Sequence, residues 1–98
     1  MAKKSKNPKY EFTDETVTAP DGTILRRIKA KISFGAVVAG TLGGFIAGEA
    51  NLDVSGDAWV SGNARVSGDA RVYGDAWVYG DAQVYGYAGV YGDARGYD

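Results

Sequence analysis

The chain has 98 residues and a formal net charge of −1, so it is long enough for one small domain and has no overall charge that favours nucleic acid or a membrane surface. It contains neither cysteine nor histidine. Disulfides, thiolate chemistry and cysteine-ligated zinc are therefore excluded, and the commonest general base and metal ligand are missing. We expect a protein that is not an enzyme, uses no cofactor or metal, and binds neither nucleic acid directly nor a membrane.

The charges are unevenly distributed along the chain. Residues 1–47 carry eight lysines and arginines against four acids, whereas residues 48–98 carry three arginines against eight acids. A basic first half and an acidic second half can bind each other within one molecule or pair head to tail between copies.

The first nine residues, MAKKSKNPK, are polar and basic. No apolar core follows at the spacing of a signal peptide, so residues 1–9 are predicted to be a disordered leader. The uncharged segment Phe34–Gly48 has 15 residues and is shorter than a membrane-spanning helix requires. Its glycines at 40, 44 and 48 have the spacing of small-residue contacts between membrane helices, which is the alternative to the preferred interpretation, buried β-structure with glycine corners.

Residues 10–35 predict a β-hairpin. The segment 10–19 is rich in β-forming residues, and Pro20–Gly22 is a turn signal because proline presets φ and glycine accepts positive φ. In the second strand the apolar side chains alternate with basic ones and are predicted to share one face. That face comprises Ile24, Ile28, Ala30, Ile32 and Phe34.

A repeat of six residues begins at Val54. Valine recurs at every sixth position up to Val90, glycine follows two positions after each valine, and alanine two positions after each glycine. No helix has this period, and short repeats of this kind indicate a solenoid. Each unit is predicted to be a short strand whose valine points inward, followed by a glycine corner and a small inward alanine.

The segment VSGDAWVSGNARVSGDARVYGDA resembles the hexapeptide repeats of left-handed parallel β-helices, in which three hexads form one triangular coil of about 18 residues. The whole chain is similar to small phage and prophage hexapeptide-repeat proteins, which begin with a hairpin, pass through a GDLGGWI-like segment and continue into VYGDARVYGDA repeats. Here the matching middle segment is Gly40–Leu52. The resemblance implies an all-β fold, namely a short left-handed parallel β-helix of about three coils over residues 36–98, capped by the hairpin at residues 10–35.

Two details of the resemblance bear on activity and register. Hexapeptide acyltransferases and γ-class carbonic anhydrases share this fold and depend on histidine, which the chain lacks, so neither activity is expected. Glycine also follows the aliphatic residue by two positions here, where many acyltransferase hexads have it one position after. Continuing the hexad backward places Leu42 in the valine phase and Ile46 and Leu52 in the alanine phase, which predicts a degenerate first coil over residues 36–53.

Stacked coils bring equivalent side chains into columns about 4.8 Å apart. Tyr73 is then predicted to stack on Tyr91, and Trp59 on Trp77. One flat face collects two Trp, two Tyr and one Arg, a composition typical of residues that dominate binding energy. This predicted partner face comprises Trp59, Trp77, Tyr79, Arg95 and Tyr97. The alternative is that the outward aromatics form ladders that only support the solenoid.

The corners stack in the same way and carry acids. The predicted acidic columns are formed by Asp57, Asp75 and Asp93, by Asn63 with Asp81, and by Asp69 with Tyr87. Ordinary turn chemistry is the simplest explanation, and calcium binding and imitation of nucleic-acid phosphates are the alternatives. The last hexads have no obvious cap, so Val90, Tyr91 and Tyr97 are predicted to form an oligomer edge and the chain to be a homo-oligomer.

Three functions are compatible with these features. The preferred one is a non-catalytic, phage- or prophage-encoded interaction module that binds a host protein or protein complex in the cytoplasm of the bacterial host. The resemblance favours an inhibitor of a host defence complex, such as an anti-CRISPR protein. The second is a protein that sequesters a nucleotide or sugar with aromatic and arginine side chains. The third is a structural or assembly module of a virion.

Overall fold

The computed structural model describes residues 7–35, 37–54, 56–91 and 95–96, and the regular elements of that part of the chain are β-strands apart from one short turn. Three longer strands come first, β1 Tyr10–Thr18, β2 Ile24–Ala30 and β3 Leu42–Ile46, and a 3-10 turn follows at Glu49–Asn51. Seven two-residue strands come next: β4 Trp59–Val60, β5 Arg65–Val66, β6 Arg71–Val72, β7 Trp77–Val78, β8 Gln83–Val84, β9 Gly89–Val90 and β10 Arg95–Gly96. The prediction of an all-β fold is confirmed.

The short strands stack in parallel and form three walls. Pairs such as Trp59 with Trp77 and Arg65 with Gln83 join residues that lie 18 positions apart. The first wall contains β6 and β9, the second wall β4, β7 and β10, and the third wall β3, β5 and β8. The central valines and the corner alanines point into the shared core, where they are fully buried: Val60, Val66, Val72 and Val78 with Ala58, Ala64, Ala70 and Ala76.

Backbone hydrogen bonds close each corner between two walls. The Ala64 amide donates to the Ser61 carbonyl over 3.2 Å, and equivalent bonds close the later corners. Glycine is required in this turn because Gly62 has a φ of 64° and because a β-carbon there would lie 3.2 Å from the backbone of Gly80 in the next coil. Any other side chain would strain the backbone and push the two coils apart.

The first coil has a different register from the one that the hexads predict. Ile46 pairs with Val66 and Leu52 with Val72, at a spacing of 20 residues, so both side chains occupy valine positions. Their predicted assignment to the alanine phase is therefore wrong. Leu52 is therefore two residues out of phase with the regular repeat. The hexads place Val54 in the valine phase, but Leu52 fills that core position, and Val54 is 41% exposed.

The buried side chain of Asn51 joins this irregular coil to the next one. Its Oδ1 accepts hydrogen bonds from the Ala47 and Gly48 amides, both at 2.9 Å. Its Nδ2 donates to the Gly68 and Ala70 carbonyl oxygens at 3.2 and 2.7 Å. One amide group thus binds four backbone groups of the corner, of which the Ala47 amide also donates to the Val66 carbonyl oxygen at 3.2 Å.

The N-terminal strands extend the third wall. β1 pairs with β2 and β2 with β3 in antiparallel fashion, and β3 pairs with β5 in parallel, so one sheet has the order β1-β2-β3-β5-β8. The close passage of β3 over the next coil requires glycine at two positions, because a β-carbon at Gly43 or Gly44 would lie 2.6 Å from the carbonyl oxygen of Val60 or Ala64.

Both faces of β2 are covered, which the alternating pattern did not predict. Ile28 and Ala30 enter the main core, whereas Leu25 points to the other face and packs with Ala19 and Phe45 in a second cluster. Ile24 and Ile32, which the alternation places on one face with Ile28 and Ala30, are exposed. Ile24 is exposed because only the second half of β2 lies against the solenoid core, while its first half turns the opposite face to Phe45.

Residues 7–9 belong to the packed structure. Lys9 is 1% exposed, its backbone carbonyl accepts a hydrogen bond from the Lys31 amide at 2.8 Å, and Asn7 is also buried. The Lys9 Nζ donates to the Asp53 carbonyl oxygen at 2.9 Å and lies 4.8 Å from the centre of the Phe34 ring. The prediction of a disordered leader is therefore wrong for these three residues, because the lysine stem covers apolar surface while its ammonium finds acceptors. The rest of the predicted leader lies outside the described residues.

Within the described residues, none of the helical segments has the length and apolar character needed to cross a membrane.

Candidate partner-binding surface

Trp59, the first member of the predicted partner face, is not available to a partner. Its side chain is 1% exposed and lies in the main core. The Phe34 and Tyr10 rings pack edge-on against it, with centroids 5.4 and 6.4 Å away. The prediction that Trp59 points to solvent is wrong because β4 is the edge strand of the second wall, and the N-terminal segments cover its open side.

The other members of that predicted face are only partly accessible or lie outside the description. Trp77 is half-buried and packs against the main core, and Tyr79 is also half-buried. The backbone of Arg95 pairs with Trp77, as the 18-residue spacing predicts, while Tyr97 lies outside the described residues. The second wall therefore offers a partner less aromatic surface than the sequence suggested.

The first wall carries the predicted tyrosine ladder. The rings of Tyr73 and Tyr91 stack with centroids 5.2 Å apart and planes inclined by 12°, which confirms the predicted contact. The Arg71 guanidinium lies 5.9 Å from the centre of the Tyr73 ring. Tyr73 is 37% exposed and Tyr91 58% exposed. They form a flat platform whose two members already hold each other in place.

Two further exposed tyrosines lie around the corner from this platform. Tyr85 ends the third wall and is 68% exposed, and Tyr87 occupies the following corner and is 89% exposed. We call Tyr73, Tyr85, Tyr87 and Tyr91 together the tyrosine surface. The sequence signal for this surface is Tyr87, which stands at a corner position that carries aspartate or asparagine in the other hexads. The two tryptophans predicted a partner face on the second wall instead.

Exposed acids of the predicted columns flank the tyrosine surface. The Asp69 amide donates to the Gly86 carbonyl at 2.9 Å, which places Asp69 in the coil directly beside Tyr87. Asp75 is the corner residue that follows Tyr73, and it is exposed, as is Asp81. Asp57 is half-buried, and Asp93 and one part of the predicted oligomer edge, Tyr97, lie outside the described residues. Val90 is half-buried and Tyr91 exposed.

Two buried ionisable side chains stabilise the opposite end of the solenoid. Burial lowers the pKa of Lys9 from 10.5 to about 8, and the nearby Asp53 and Asp57 oppose this shift. Burial also raises the pKa of Tyr10 well above its usual 10.0. The Tyr10 hydroxyl donates a hydrogen bond of 2.6 Å to the Leu52 carbonyl oxygen, so its neutral form is the one that the fold uses. Both groups attach the N-terminal segment to the first coil.

The repeat region matches a family model described as the YdcK Beta solenoid repeat. The matches cover residues 58–74, 64–80 and 70–86, so successive matches begin one hexad apart. Residues 58–86 are thus β-solenoid repeats, in agreement with their stacked parallel strands. No curated protein sequence matches it.

The exposed side chains of the stacked coils are suited to binding a partner by non-covalent contacts. In the part of the chain that the structure describes, no three aspartate or glutamate side chains converge as a metal site would require. The tyrosine surface offers ring faces for apolar and cation–π contacts and hydroxyls for hydrogen bonds. The acids beside it add negative charge at its rim.

Proposed function

We propose that this β-solenoid is a non-catalytic protein-interaction module and that the tyrosine surface is its contact. The observation that carries the proposal is the exposure of these aromatic side chains: Tyr85 and Tyr87 are 68% and 89% exposed, and Tyr73 and Tyr91 form a stacked pair on the adjacent wall. Large exposed aromatic patches mark interaction sites. Tyrosine and arginine are enriched among the residues that dominate binding energy.

The support beneath the tyrosine surface lowers the cost of binding. Tyr73 and Tyr91 restrict each other by stacking, and each follows a strand residue, Val72 or Val90, that packs in or against the main core. Association is opposed by the ordering of flexible side chains at the interface. Side chains that are already ordered lose less freedom, so a small platform of this kind can bind with useful affinity.

The charge around the tyrosine surface indicates the chemistry of the partner. Asp69 and Asp75 are exposed beside Tyr87 and Tyr73, respectively. A partner with lysine or arginine side chains would place its cations over the tyrosine rings and pair them with these carboxylates. The proposed partner is therefore a host protein, or a complex of proteins, with a basic surface. Inhibition of a bacterial defence complex, as by an anti-CRISPR protein, and a phage or prophage origin are proposals that rest on the resemblance of the repeats.

The finer architecture belongs to the same proposal. We expect a left-handed coil of about three turns capped by a hairpin at residues 10–35, and this handedness also rests on the resemblance. Self-association through Val90, Tyr91 and Tyr97 is the accompanying proposal for oligomeric state. A virion assembly module would use the same edge, and light scattering that finds only monomer at high concentration would remove the support for both.

The experiment is a pull-down from bacterial host lysate with the tagged full chain and two variants. The double substitution Tyr85→Ser/Tyr87→Ser removes the most exposed part of the tyrosine surface, and Tyr79→Ser is the matched control in the second wall. We expect the captured protein to be lost with the first variant and kept with the second. Loss with Tyr79→Ser alone, at unchanged folding, would place the contact on the second wall and refute the proposal.

A further inference from the structure

A groove lies between the β1–β2 turn and the third wall. It consists of two adjoining hollows of about 350 and 390 Å³ that share Gln83. Ala19, Pro20 and Tyr85 line the first hollow, and Arg65 and Asp81 are among the residues that line the second. One end of the groove is thus mainly apolar, and the other end is polar and carries charges of both signs.

Arg27 holds the two sides of the groove together. Its Nη1 donates to the Gly43 carbonyl oxygen at 2.7 Å and to the Gly62 carbonyl oxygen at 3.3 Å, and its Nε lies 2.8 Å from a carboxylate oxygen of Glu15. The guanidinium also lies 4.4 Å from the centre of the Phe45 ring. These contacts engage Nη1 and one face of the guanidinium, and Nε takes part in the ion pair without forming a hydrogen bond. The groove is therefore preformed, as ligand sites usually are, and Arg27 itself has little left to offer a ligand.

Arg65 is the cation that the groove offers. It pairs along the backbone with Phe45 on one side and with Gln83 on the other, and it is half-buried. In the described part of the chain, neither a hydrogen bond nor an ion pair engages its guanidinium. A guanidinium presents five donors in a planar fork that matches a carboxylate. The Gln83 amide beside it adds further donors.

We infer that this groove binds a ligand that carries one carboxylate next to an apolar or aromatic group. The carboxylate would pair with Arg65 and Gln83, and the apolar group would lie against Ala19, Pro20 and the Tyr85 ring. The acids Asp81 and Glu15 at the polar end disfavour a second negative charge on the ligand. Such a group can come from a small organic acid or from the C-terminal residue of a peptide. The inference does not depend on the proposed function, although Tyr85 belongs to both surfaces.

The test is an NMR titration of the ¹⁵N-labelled full chain. N-acetyl-L-phenylalanine is the probe, and its uncharged amide is the control ligand. We expect shifts of the Gln83 side-chain amide and of the Arg65 Nε–H signal, with a dissociation constant on the order of 1 mM. The amide should bind at least about 10-fold more weakly, since hydrogen bonds to a charged partner are the stronger ones.

Variants assign the binding to Arg65. Arg65→Gln should weaken binding at least about 10-fold. Arg65→Lys should retain part of the affinity, because lysine keeps the charge but not the planar fork. Arg71→Gln is the matched control, since Arg71 occupies the equivalent hexad position in the first wall, and it should bind as the natural chain does. An unperturbed pattern of backbone signals shows that each variant folds.

Two peptides that end in phenylalanine, with a free and an amidated C-terminus, distinguish the sources of the carboxylate. At least about 10-fold tighter binding of the free peptide than of N-acetyl-L-phenylalanine assigns the groove to chain termini, and equal binding assigns it to small acids. Equal shifts with the amide, an unchanged affinity of Arg65→Gln, or no shift at Gln83 at ligand concentrations on the order of 10 mM would each overturn the inference.

Discussion

The Tyr91 ring lies over the Tyr73 ring of the preceding coil, with centroids 5.2 Å apart and planes inclined by only 12°. Stacked aromatic pairs contribute beyond their buried area, so the two side chains should be energetically coupled. In a double-mutant cycle of Tyr73→Leu and Tyr91→Leu, we expect a coupling energy of about 0.5–1 kcal/mol in urea unfolding. Tyr73→Leu with Tyr85→Leu is the control cycle. Because these residues stand on different walls, their effects should add, and equal coupling in both cycles would contradict a specific stack.

The close passage of β3 predicts that Gly43→Ala is strongly destabilising. The new methyl would lie 2.6 Å from the Val60 carbonyl oxygen and 2.7 Å from the Trp59 ring. Overpacking against backbone is expected to lower the free energy of unfolding by about 1–3 kcal/mol. Gly48→Ala is the control, because Gly48 has extended backbone and no atom within 4 Å of the added carbon, and it should change stability by no more than about 0.5 kcal/mol. Equal urea midpoints of the two variants would show that β3 is not held this closely.

Removal of the Asn51 side-chain amide should destabilise the first coil. Asn51→Ala removes the partner of the Gly48 amide and of the Gly68 and Ala70 carbonyls, whereas the Ala47 amide keeps its hydrogen bond to the Val66 carbonyl. An expected loss of about 2–4 kcal/mol follows from several unsatisfied backbone groups in a partly buried corner. Asn63→Ala provides the comparison, because Asn63 is exposed at a regular corner. Thermal unfolding should separate the two variants clearly, and a similar effect of both would mean that Asn51 has no special role.

Lys9 predicts an unusual dependence of stability on pH. Its pKa in the folded chain is about 8, below the usual lysine pKa of 10.5 that applies to the unfolded chain. Between these two pH values the folded chain has released a proton that the unfolded chain keeps. Stability contributed by Lys9 therefore rises as the pH increases from about 8 to 10, by about 1–2 kcal/mol. Tyr10 acts in the opposite sense at higher pH. Its raised pKa keeps it neutral in the fold, so its contribution is lost once the unfolded chain ionises above 10.0.

The variant Lys9→Met isolates this effect. Methionine keeps an unbranched stem over the Phe34 ring but carries no ionisable group, and the rise in stability between pH 8 and pH 10 should disappear. Urea unfolding at both pH values, with Lys29→Met as the control at an exposed position, measures the difference. A rise of the same size in Lys9→Met would assign it to other groups.

The hexad spacing was sufficient to predict the walls, the inward valines and the contact between Tyr73 and Tyr91. Each of these features is set by contacts between residues 18 positions apart. Such contacts form on both sides of a strand wherever its coil lies between two other coils of the repeat. Local requirements also determine them, because the backbone needs glycine at each corner and only small or β-branched side chains fit inside the coil.

The wrong predictions concern the N-terminal end of the solenoid, where a coil of the repeat has another such coil on one side only. Trp59 belongs to a hexad like any other, but the residues that cover it, Tyr10 and Phe34, come from outside the repeat. Ile46 and Leu52 were placed in the wrong phase because Val54 continues the six-residue spacing in the sequence without filling a core position. The groove at Arg65 was missed for a similar reason, since one of its sides comes from the β1–β2 turn.

The continuous sheet from β1 to β8 has a consequence for how the chain folds. Pairing of β1 with β2 starts across a short turn, at Thr18 and Ile24, and β2 pairs with β3 from Lys29 and Leu42 onward over several residues. Each parallel pair of the walls, by contrast, must close a loop of 18 or 20 residues for two residues of strand. Loop closure is the slow and costly step, so the N-terminal strands should form first and serve as the template on which successive coils are added. Folding would then proceed in one direction along the chain, and a substitution in β2 should slow it more than one in β8.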